Sequence, residues 1–384
     1  MTTHRQVVAA LVDAAAHDEN VVLATVVRIT GSSYGGVGAR MICLGDGSRV
    51  GLVSGGCLES DLAEHATRVY ATGCADVVSY DTRDDDEVPW GLGLGCNGLI
   101  EVLLEPLSPQ QAMDVAGLID RALAADPPSV IATVIRSHRS DIGGPRVGAH
   151  VLFDNAVVQS TGDWGAGSAL FEATQYVNEA VAAGRRGVVH EIGSAEVAFE
   201  VVMPTVRLVV CGAGPDAAPV ARFASELGWD VTVVDHRPVA NAHSARFPGA
   251  RVVECADALH LARVLPANQR FAAVVMSHHL ARDREYLYEL LKSEVAYLGV
   301  LGPRARTERM LAELVVREGL LPEIDGRLFS PIGMDIGGEG PDAITLSIIS
   351  QISAVTSSRT GGHLRDRRAP LHASPPAEVA TSSI

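Results

Sequence analysis

The segment RLVVCGAGPDAAPVARFA, residues 207–224, constrains the fold of this chain more than any other. A β-branched run leads directly into Gly212, Gly214 and Ala217, which fit the spacing G-x-G-x-x-[GA], and a helical pattern follows. Glycines at these places let the backbone approach a pyrophosphate at the positive end of a helix. The segment predicts the first strand, loop and helix of a Rossmann-type domain, although a glycine turn used only for packing would look similar.

The rest of the C-terminal half continues this alternation of strands and helices. Apolar runs separated by helical patterns occur at 230–235, 251–255, 271–276 and 295–300. Such a rhythm is typical of a parallel sheet with crossover helices. Aromatic residues make up 4% of the chain and hydrophobic residues 47%, so small aliphatic side chains must fill the core, as is usual for parallel sheets covered by helices.

The N-terminal half contains two pairs of similar short segments, which suggest an internal repeat. The sequence ATVVR at 24–28 recurs as ATVIR at 132–136, and GARMI at 38–42 recurs as GAHVL at 148–152. The offsets of 108 and 110 residues differ by one small indel, which indicates two similar β-units. Short valine-rich strands also resemble one another by chance, and that alternative stays open at this point.

These patterns predict an α/β protein in three parts. Residues 1–204 are expected to form an α+β N-terminal domain that carries a cysteine motif and the repeated β-unit. Residues 205–356 are expected to form the Rossmann-type parallel sheet. Residues 357–384 are rich in Ser, Pro, Arg and Ala and are expected to be a disordered tail.

Charge and hydropathy exclude several classes of function. The formal net charge of −15 argues against nucleic-acid binding, which usually needs a basic face. No run of 18 apolar residues predicts a membrane span, and the N-terminal segment resembles an amphipathic helix and not a signal peptide. The chain is therefore expected in the cytoplasm. Its six cysteines contain no CxxC pair, so individual thiols matter more than a disulfide framework.

Two side chains after the second Rossmann strand bear on the ligand. Asp235 ends this strand 21 residues beyond Gly214, where an acid commonly binds a ribose hydroxyl. This favours NAD over NADP, although the nearby Arg237 could hold an additional phosphate. Both residues are predicted to contact a cofactor.

Further polar groups follow two later strands of the predicted sheet, at 271–276 and 295–300. His278 and Asp283 come after one strand, and Gly302, Arg304 and Arg306 come after the next. Ligands bind outside the carboxyl ends of parallel strands, so these groups are expected near the glycine loop. The alternatives are a capping or core role for the histidines at 278–279 and a solvated helix face for the arginines.

The cysteines of GGCLE and LGCNG suggest a second site. Cys57 is followed by Glu59 and a helical pattern, and Cys96 lies in a similar glycine-rich turn. A thiol at a helix N-terminus ionises more readily and can then attack a substrate or ligate a soft metal. The alternative is a small buried hydrophobic side chain, which is the commonest fate of a free cysteine and is favoured for residues 43, 211 and 255.

Together these motifs resemble the XdhC/CoxI family of xanthine dehydrogenase accessory factors over nearly the whole chain. The resemblance is carried by GSSYGGVGARM, GGCLE, WGLGLGCNG, VCGAGPDAAP, VVDHRP, SHHLARD, YLGVLGPR and SPIGMDIG. It implies a family-specific N-terminal domain, a C-terminal Rossmann domain, and binding of molybdenum cofactor (molybdopterin). The activity it implies is delivery of the sulfurated cofactor to a molybdenum hydroxylase such as xanthine or carbon monoxide dehydrogenase.

The resemblance places the family's cysteine motifs at Cys57, as the metal-handling residue, and at Cys96, with Glu59 beside the first. The sequence departs from the family where GCGG reads Gly-Cys-Asn-Gly, with Asn97, and where Pro303 replaces a serine. The late helix begins Gly-Pro-Asp, at Gly340, in place of Thr-Pro-Glu. These changes bear on the ligand contacts and leave the predicted fold unaffected.

The implied partners are the client hydroxylase and, beyond it, a sulfur-donating desulfurase and a second copy of the chain as a homodimer. The alternative function is that of an NAD(P)-dependent oxidoreductase, because the Rossmann signals alone would support it. A degenerate family member that acts only as an interaction scaffold is a third interpretation. Retention of Cys57, Gly212 and Gly214 argues against that third interpretation.

Overall fold

The computed structural model describes residues 4–31, 35–81, 98–138, 144–154, 157–165, 168–182, 187–237, 245–266, 271–319 and 326–368. The chain divides into two compact units. One comprises Met1–Pro204 with Arg367–Ile384, and the other comprises Thr205–Asp366. Of the segment expected to be a tail, residues 357–368 include a 3₁₀ turn at Leu364–Asp366, and residues 369–384 lie outside the described part.

The N-terminal unit is built from short helices and antiparallel strands. Its helices are α1 (His4–Ala16), α2 (Glu59–Thr72), α3 (Pro109–Ala124) and α4 (Ala169–Ala182). Its strands are β1 (Val21–Gly31), β2 (Arg40–Leu44), β3 (Arg49–Gly51), β4 (Asp76–Asp81), β5 (Gly98–Leu107), β6 (Ser129–Ser137), β7 (His150–Asp154), β8 (Val157–Thr161), β9 (Gly187–Ile192) and β10 (Ala195–Val202).

These elements form the same arrangement twice, which confirms the repeat. Within the described residues, one sheet has the order β3-β2-β1-β5-β4 and the other β8-β7-β6-β10-β9. Each copy begins with a helix, α1 or α3, and inserts a second helix, α2 or α4, before its last two strands. All the strand pairs of both sheets are antiparallel, so short turns are enough to join successive neighbours such as β2 and β3.

The two copies bury apolar side chains on both faces of their sheets. In the first copy α2 packs on the outer face through Leu62, and in the second copy α4 packs on the equivalent face through Ala173. Between the sheets lies a small cluster formed by Val27, Leu103, Ile135 and Ala198. Val27 and Ile135 occupy equivalent places in the repeat, so the two sheets meet through matching residues.

Charged pairs join the two copies around this cluster. Arg28 Nε lies 3.0 Å from Glu101 Oε2 within the first copy, and Arg136 Nη1 lies 2.5 Å from Glu196 Oε2 within the second. Arg136 also reaches Glu101 at 2.7 Å, and Arg28 reaches Glu196 at 3.3 Å. The four side chains form a network in which each arginine is shared between copies, and such a network restricts the two sheets to one pairing.

Two further pairs of charged or polar side chains are buried more deeply, and they occupy equivalent positions in the two copies of the repeat. Arg40 of β2 donates to Glu200 of β10, with Nη1 3.1 Å from Oε1, and the Arg40 side chain is only 5% exposed. The equivalent residues of the other copy are His150 and Glu105, with Nε2 2.9 Å from Oε1. Each pair links one copy to the other, so neither sheet provides both partners of its own pair.

The C-terminal unit is a parallel sheet covered by helices. Its strands are β11 (Arg207–Cys211), β12 (Asp230–Asp235), β13 (Arg251–Glu254), β14 (Phe271–Val275), β15 (Val295–Val300) and β16 (Leu328–Phe329). Its helices are α5 (Ala217–Glu226), α6 (Ala258–Val264), α7 (Leu280–Leu291), α8 (Arg304–Glu318) and α9 (Pro341–Thr356).

The sheet order confirms the Rossmann-type fold. Over the described residues the order is β13-β12-β11-β14-β15-β16, with every pairing parallel. Alternate residues of the strands point to two cores, one shared with α5 and α9 and the other with α7 and α8. The order reverses between β11 and β14, and ligands of such sheets bind at the carboxyl ends of the strands beside that reversal.

Candidate functional site

Gly212 is required by the packing of the loop that follows β11. It has φ +127°, and a Cβ there would lie 2.7 Å from Met276 O and from Ser277 Cα. Both obstructing atoms are backbone at the end of β14, so they cannot turn aside. Gly212 therefore allows the loop to lie directly against the neighbouring strand.

Replacing Gly212 by alanine is expected to destabilise the Rossmann unit by about 1–3 kcal/mol, since the added methyl group meets backbone and the positive φ is strained. Urea unfolding monitored by circular dichroism measures the loss. Gly36 is the matched control, because a Cβ there would meet nothing within 4 Å and its φ is not positive. An equal loss in both variants would contradict this role for Gly212.

The other two positions of the motif have different roles. A Cβ on Gly214 would come 2.5 Å from Asp216 Oδ1, which belongs to a flexible side chain, and 4.0 Å from His278 Cδ2. A side chain at position 214 would therefore be crowded only at the open edge of the loop, by Asp216. Ala217 is fully buried in the first turn of α5 and packs in the core. Gly212 thus packs against backbone and Ala217 against the core, whereas Gly214 lies at the open edge of the loop.

The start of α5 is left without a side-chain cap. Asp216 is the N-cap residue, but its carboxylate accepts no bond from the helix amides. Instead Asp216 Oδ2 lies 2.7 Å from His278 Nε2, and His278 adopts φ +61°, a conformation that costs energy for a residue with a side chain. The first N–H groups of a helix bind anions when no side chain satisfies them.

Asp283 is committed to the protein interior. It is fully buried, and its Oδ1 accepts hydrogen bonds from the amide of Ser277 at 3.1 Å and from the Ser277 hydroxyl at 2.5 Å. Its Oδ2 accepts from Arg306 Nη2 at 2.6 Å. Asp283, predicted from sequence to contact a cofactor, thus braces the turns after β14 and β15 against each other.

Among the remaining residues of these two turns, some contact the protein and one is exposed to solvent. His279 caps α7 by accepting a hydrogen bond from the amide of Arg282 at 3.4 Å, which is the capping alternative. Gly302 has φ +119° and lies against the Arg306 side chain. Arg304 begins α8, is exposed, and has no polar partner among the residues that the structure describes. Of the two predicted arginines, only Arg304 faces solvent freely.

The acid at the end of β12 is surrounded by donors. Asp235 Oδ2 accepts from the amide of Ala213 at 2.7 Å and from Arg237 Nη2 at 2.8 Å. Its Oδ1 accepts from the amide and Nε of Arg237 at 2.9 and 2.8 Å. Burial alone would raise the pKa of Asp235, but the bonds from Arg237 and Ala213 outweigh it and hold that pKa far below its ordinary value.

A cavity of about 440 Å³ lies at the carboxyl ends of β15 and β16, where α9 begins. It is lined by Leu301, Gly302, Pro303, Pro331, Ile332, Met334, Asp335, Ile336, Gly337, Gly338, Ala343, Ile344 and Ser347. The sequence patterns did not predict this cavity. Its signal was the glycine-rich segment SPIGMDIGG, in which Gly333, Gly337 and Gly338 all adopt positive φ.

In the N-terminal unit, Glu59 organises the turn that carries Cys57. Glu59 Oε1 accepts from the amides of Val53 and Ser54 at 3.2 and 2.7 Å, and Oε2 accepts from the Ser54 hydroxyl at 2.6 Å. Burial would raise the pKa of Glu59, but the bonds from Ser54 outweigh it and keep that pKa below its ordinary value. Glu59 therefore stays ionised and ties the two ends of the turn together.

Cys57 is exposed at the tip of this turn, one residue before the N-cap of α2. Its Sγ lies 3.9 Å from Ser54 Oγ, and that oxygen also accepts from the amide of Leu58 at 3.1 Å. In the second copy of the repeat the equivalent turn contributes Trp164, which is buried in the core. The fold thus tolerates the turn without a cysteine.

The other thiols differ sharply from Cys57. Cys43, Cys211 and Cys255 are buried, as predicted for strand cysteines, and burial raises the pKa of each, that of Cys255 to about 11. Cys74 is exposed but lies at the far end of α2. Cys96 lies outside the described residues, so its predicted role stays a prediction.

The described ranges contain no group of three or more His, Cys, Asp or Glu side chains arranged to hold a metal ion. Among the helices in the same ranges, none has the length and apolarity needed to cross a membrane.

Known proteins resemble the chain along most of its length. A Bacillus subtilis (strain 168) protein, named as a probable subunit of xanthine dehydrogenase, is 30% identical over 345 residues, which is 89% of this chain and 95% of that protein. The molybdenum cofactor insertion chaperone PaoD of Escherichia coli (strain K12) is 22% identical over 353 residues, 92% of this chain and 88% of that protein.

Structure and family comparisons agree with these relatives. A crystal structure from Bacillus halodurans, described as a xanthine dehydrogenase, superposes with a TM-score of 0.70 at 30% identity, covering 92% of this chain and 96% of that chain. Residues 208–352 match the family described as the XdhC Rossmann domain, and residues 14–81 match the XdhC and CoxI family. The chain belongs to the XdhC and CoxI family.

Proposed function

We propose that this protein binds molybdenum cofactor and serves as an accessory factor in the maturation of a molybdenum hydroxylase. The observation that carries the proposal is the loop Gly212–Ala217, whose N-cap carboxylate is turned away from α5 to His278. The name of the PaoD relative, a molybdenum cofactor insertion chaperone, supports this ligand and a client enzyme. A desulfurase partner and a homodimer remain predictions from the family resemblance.

The residues of the Rossmann unit suit the phosphate end of the cofactor. The loop offers backbone N–H groups at the positive end of α5, and the carboxylate of the N-cap residue Asp216 is paired with His278. A Cβ on Gly214 would crowd this edge of the loop, coming within 2.5 Å of Asp216 Oδ1. Arg237, 54% exposed and paired with Asp235, presents the remaining N–H groups of its guanidinium beside the loop.

The cavity beside Gly302 suits the heterocyclic end. It lies two strands from β11, and strands are about 4.8 Å apart, so cavity and loop are separated by about 10 Å along one edge of the sheet. A two-ring heterocycle with a short phosphate-bearing arm spans such a distance. Asp335 lines the cavity and could accept hydrogen bonds from the amino edge of a pterin.

Cys57 of the N-terminal unit is proposed to take part in the metal or sulfur chemistry, because an exposed thiol can act as a soft ligand or sulfur acceptor. When bound, the cofactor supplies the redox-active molybdenum and its exchangeable sulfur. Ser54 and Glu59 would act by holding the turn, since their polar atoms already bond to each other.

The proposal is tested by identifying the ligand that the protein carries. The full chain, purified from a molybdenum-replete host, is expected to hold pterin and molybdenum by mass spectrometry and metal analysis. It should also activate a molybdenum hydroxylase in a reconstituted assay. A chain without pterin that instead turned over a small alcohol with NAD would show that the oxidoreductase alternative is right.

Gly214→Val is expected to lower the cofactor content at least tenfold, about 1.4 kcal/mol, because the branched side chain fills the loop edge where phosphate approaches. The fold should survive, since the clash involves only the flexible Asp216 side chain. Val316→Ala, at a side chain 85% exposed on α8, is a control for handling and expression. Full cofactor content in a folded Gly214→Val protein would show that the loop serves packing alone.

A further inference from the structure

The carboxylate of Asp235 has no capacity left for a ligand. A carboxylate offers about four lone-pair sites, and four donors already point at Asp235: the amide of Ala213 and the amide, Nε and Nη2 of Arg237. The side chain is only 3% exposed. The acid that would bind a ribose diol in a dinucleotide site is therefore used by the protein itself.

The group that meets a ligand at this point is Arg237. Its Nη2 and the amide of Ala213 bond to the same oxygen of Asp235, so the guanidinium lies against the glycine loop. Two of its nitrogens are held by the acid, which fixes the plane of the group, while the side chain is 54% exposed. A fixed and exposed guanidinium beside backbone N–H groups is complementary to phosphate.

Other nitrogen-bearing side chains lie in the neighbouring turns. The rings of His236 and His279, at the ends of β12 and β14, lie 5.8 Å apart. Arg282 follows in the first turn of α7, where Glu285 pairs with it. A phosphate would therefore find its N–H donors here on Arg237, whereas the hydroxyls of a ribose need an acceptor that Asp235 cannot provide.

We propose that the Rossmann site selects a ligand that presents a phosphate monoester at the Arg237 position and rejects one that presents a ribose diol there. This inference rests on the proposed function and specifies it further. The form of molybdenum cofactor bound would be the one that ends in a phosphate monoester, and a nucleotide-capped form would bind more weakly. Arg237 is the specificity-determining residue, and Asp235 is the residue that positions it.

The test compares NADP⁺ with NAD⁺, which differ by one phosphate monoester on the ribose. Calorimetry on the full chain, freed of endogenous ligand, is expected to show NADP⁺ binding at least tenfold more tightly. Arg237→Ala should remove this preference and release Asp235 for the ribose of NAD⁺. Arg237→Lys keeps the charge and should retain part of the preference if the variant lacking the side chain proves unstable.

Arg309→Ala is the matched control, because Arg309 is 68% exposed on α8 and pairs only locally with Glu313; it should bind both dinucleotides as the unmodified chain does. The inference would be overturned if the unmodified chain bound NAD⁺ as tightly as NADP⁺, or bound neither. Recovery of a nucleotide-capped cofactor from the folded chain would also overturn it while leaving the proposed function intact. If the purified chain held no pterin but still bound NADP⁺ more tightly than NAD⁺, the proposed function would be rejected. The selectivity of the site for a phosphate monoester would then be supported.

Discussion

Cys57→Ser is expected to abolish activation of a molybdenum hydroxylase client while the fold stays unchanged. The side chain is exposed, and replacing sulfur by oxygen at an exposed place alters stability by less than about 0.5 kcal/mol. A serine hydroxyl is a poor ligand for a soft metal and does not carry sulfur as a thiolate can. The measurements are client activity after reconstitution, molybdenum content, and circular dichroism of the variant.

Cys74→Ser is the matched control, since Cys74 is the other exposed cysteine among the described residues and belongs to the same unit. It should support full activation. Alkylation followed by mass spectrometry should modify Cys57 well before the buried Cys43 and Cys211. Normal activation by Cys57→Ser would show that this cysteine is not needed, and the sulfur chemistry would then have to lie at Cys96 or the Rossmann loop.

Glu200→Gln is expected to lower the free energy of unfolding of the N-terminal unit by about 3–5 kcal/mol. The substitution keeps the volume of the side chain but leaves the Arg40 guanidinium, 5% exposed, without a compensating charge. Arginine cannot release its proton to avoid this cost. Hydrogen exchange in β6 and β10, followed by mass spectrometry, measures this unit separately from the Rossmann unit.

The repeat provides the control for this variant. Glu105 is the counterpart of Glu200, and its partner is His150. An imidazole, unlike a guanidinium, has a neutral form that still donates one hydrogen bond, here to the glutamine oxygen. Glu105→Gln should therefore cost about 1 kcal/mol. Equal losses from the two variants would mean that the charge of Arg40 does not decide the effect.

The sequence predicted the Rossmann unit well because its signals are local. The strand before Gly212, the glycine spacing and the helix after Ala217 all lie within one continuous segment. The repeat was visible for the same reason, since equivalent strands keep similar residues. The cavity beside Gly302 was missed because its walls come from segments that are adjacent only after folding.

The predicted site residues were harder to interpret. The sequence located Asp235 at a strand end and placed Asp283 and Glu59 at the starts of helices, but it could not show which way each carboxylate points. All three bond to groups of the protein, through Arg237, Arg306 and Ser54 respectively. Carboxylates at four-residue spacing in the apolar strands β5 and β10 were a usable signal of buried partners that sequence reasoning missed.

The sequence by itself determined the family, the parallel order of strands and helices, and the place of the glycine loop, because backbone conformation and hydrophobic periodicity are set by neighbours along the chain. Only the tertiary structure decided how the charges are used. A carboxylate can bind a ligand or satisfy its own protein, and the choice depends on which donors approach it from elements distant in sequence. The fold brings the amide of Ala213 and the guanidinium of Arg237 to the same oxygen of Asp235. Asp235, which the sequence pattern predicts to bind a ribose, therefore positions Arg237 instead.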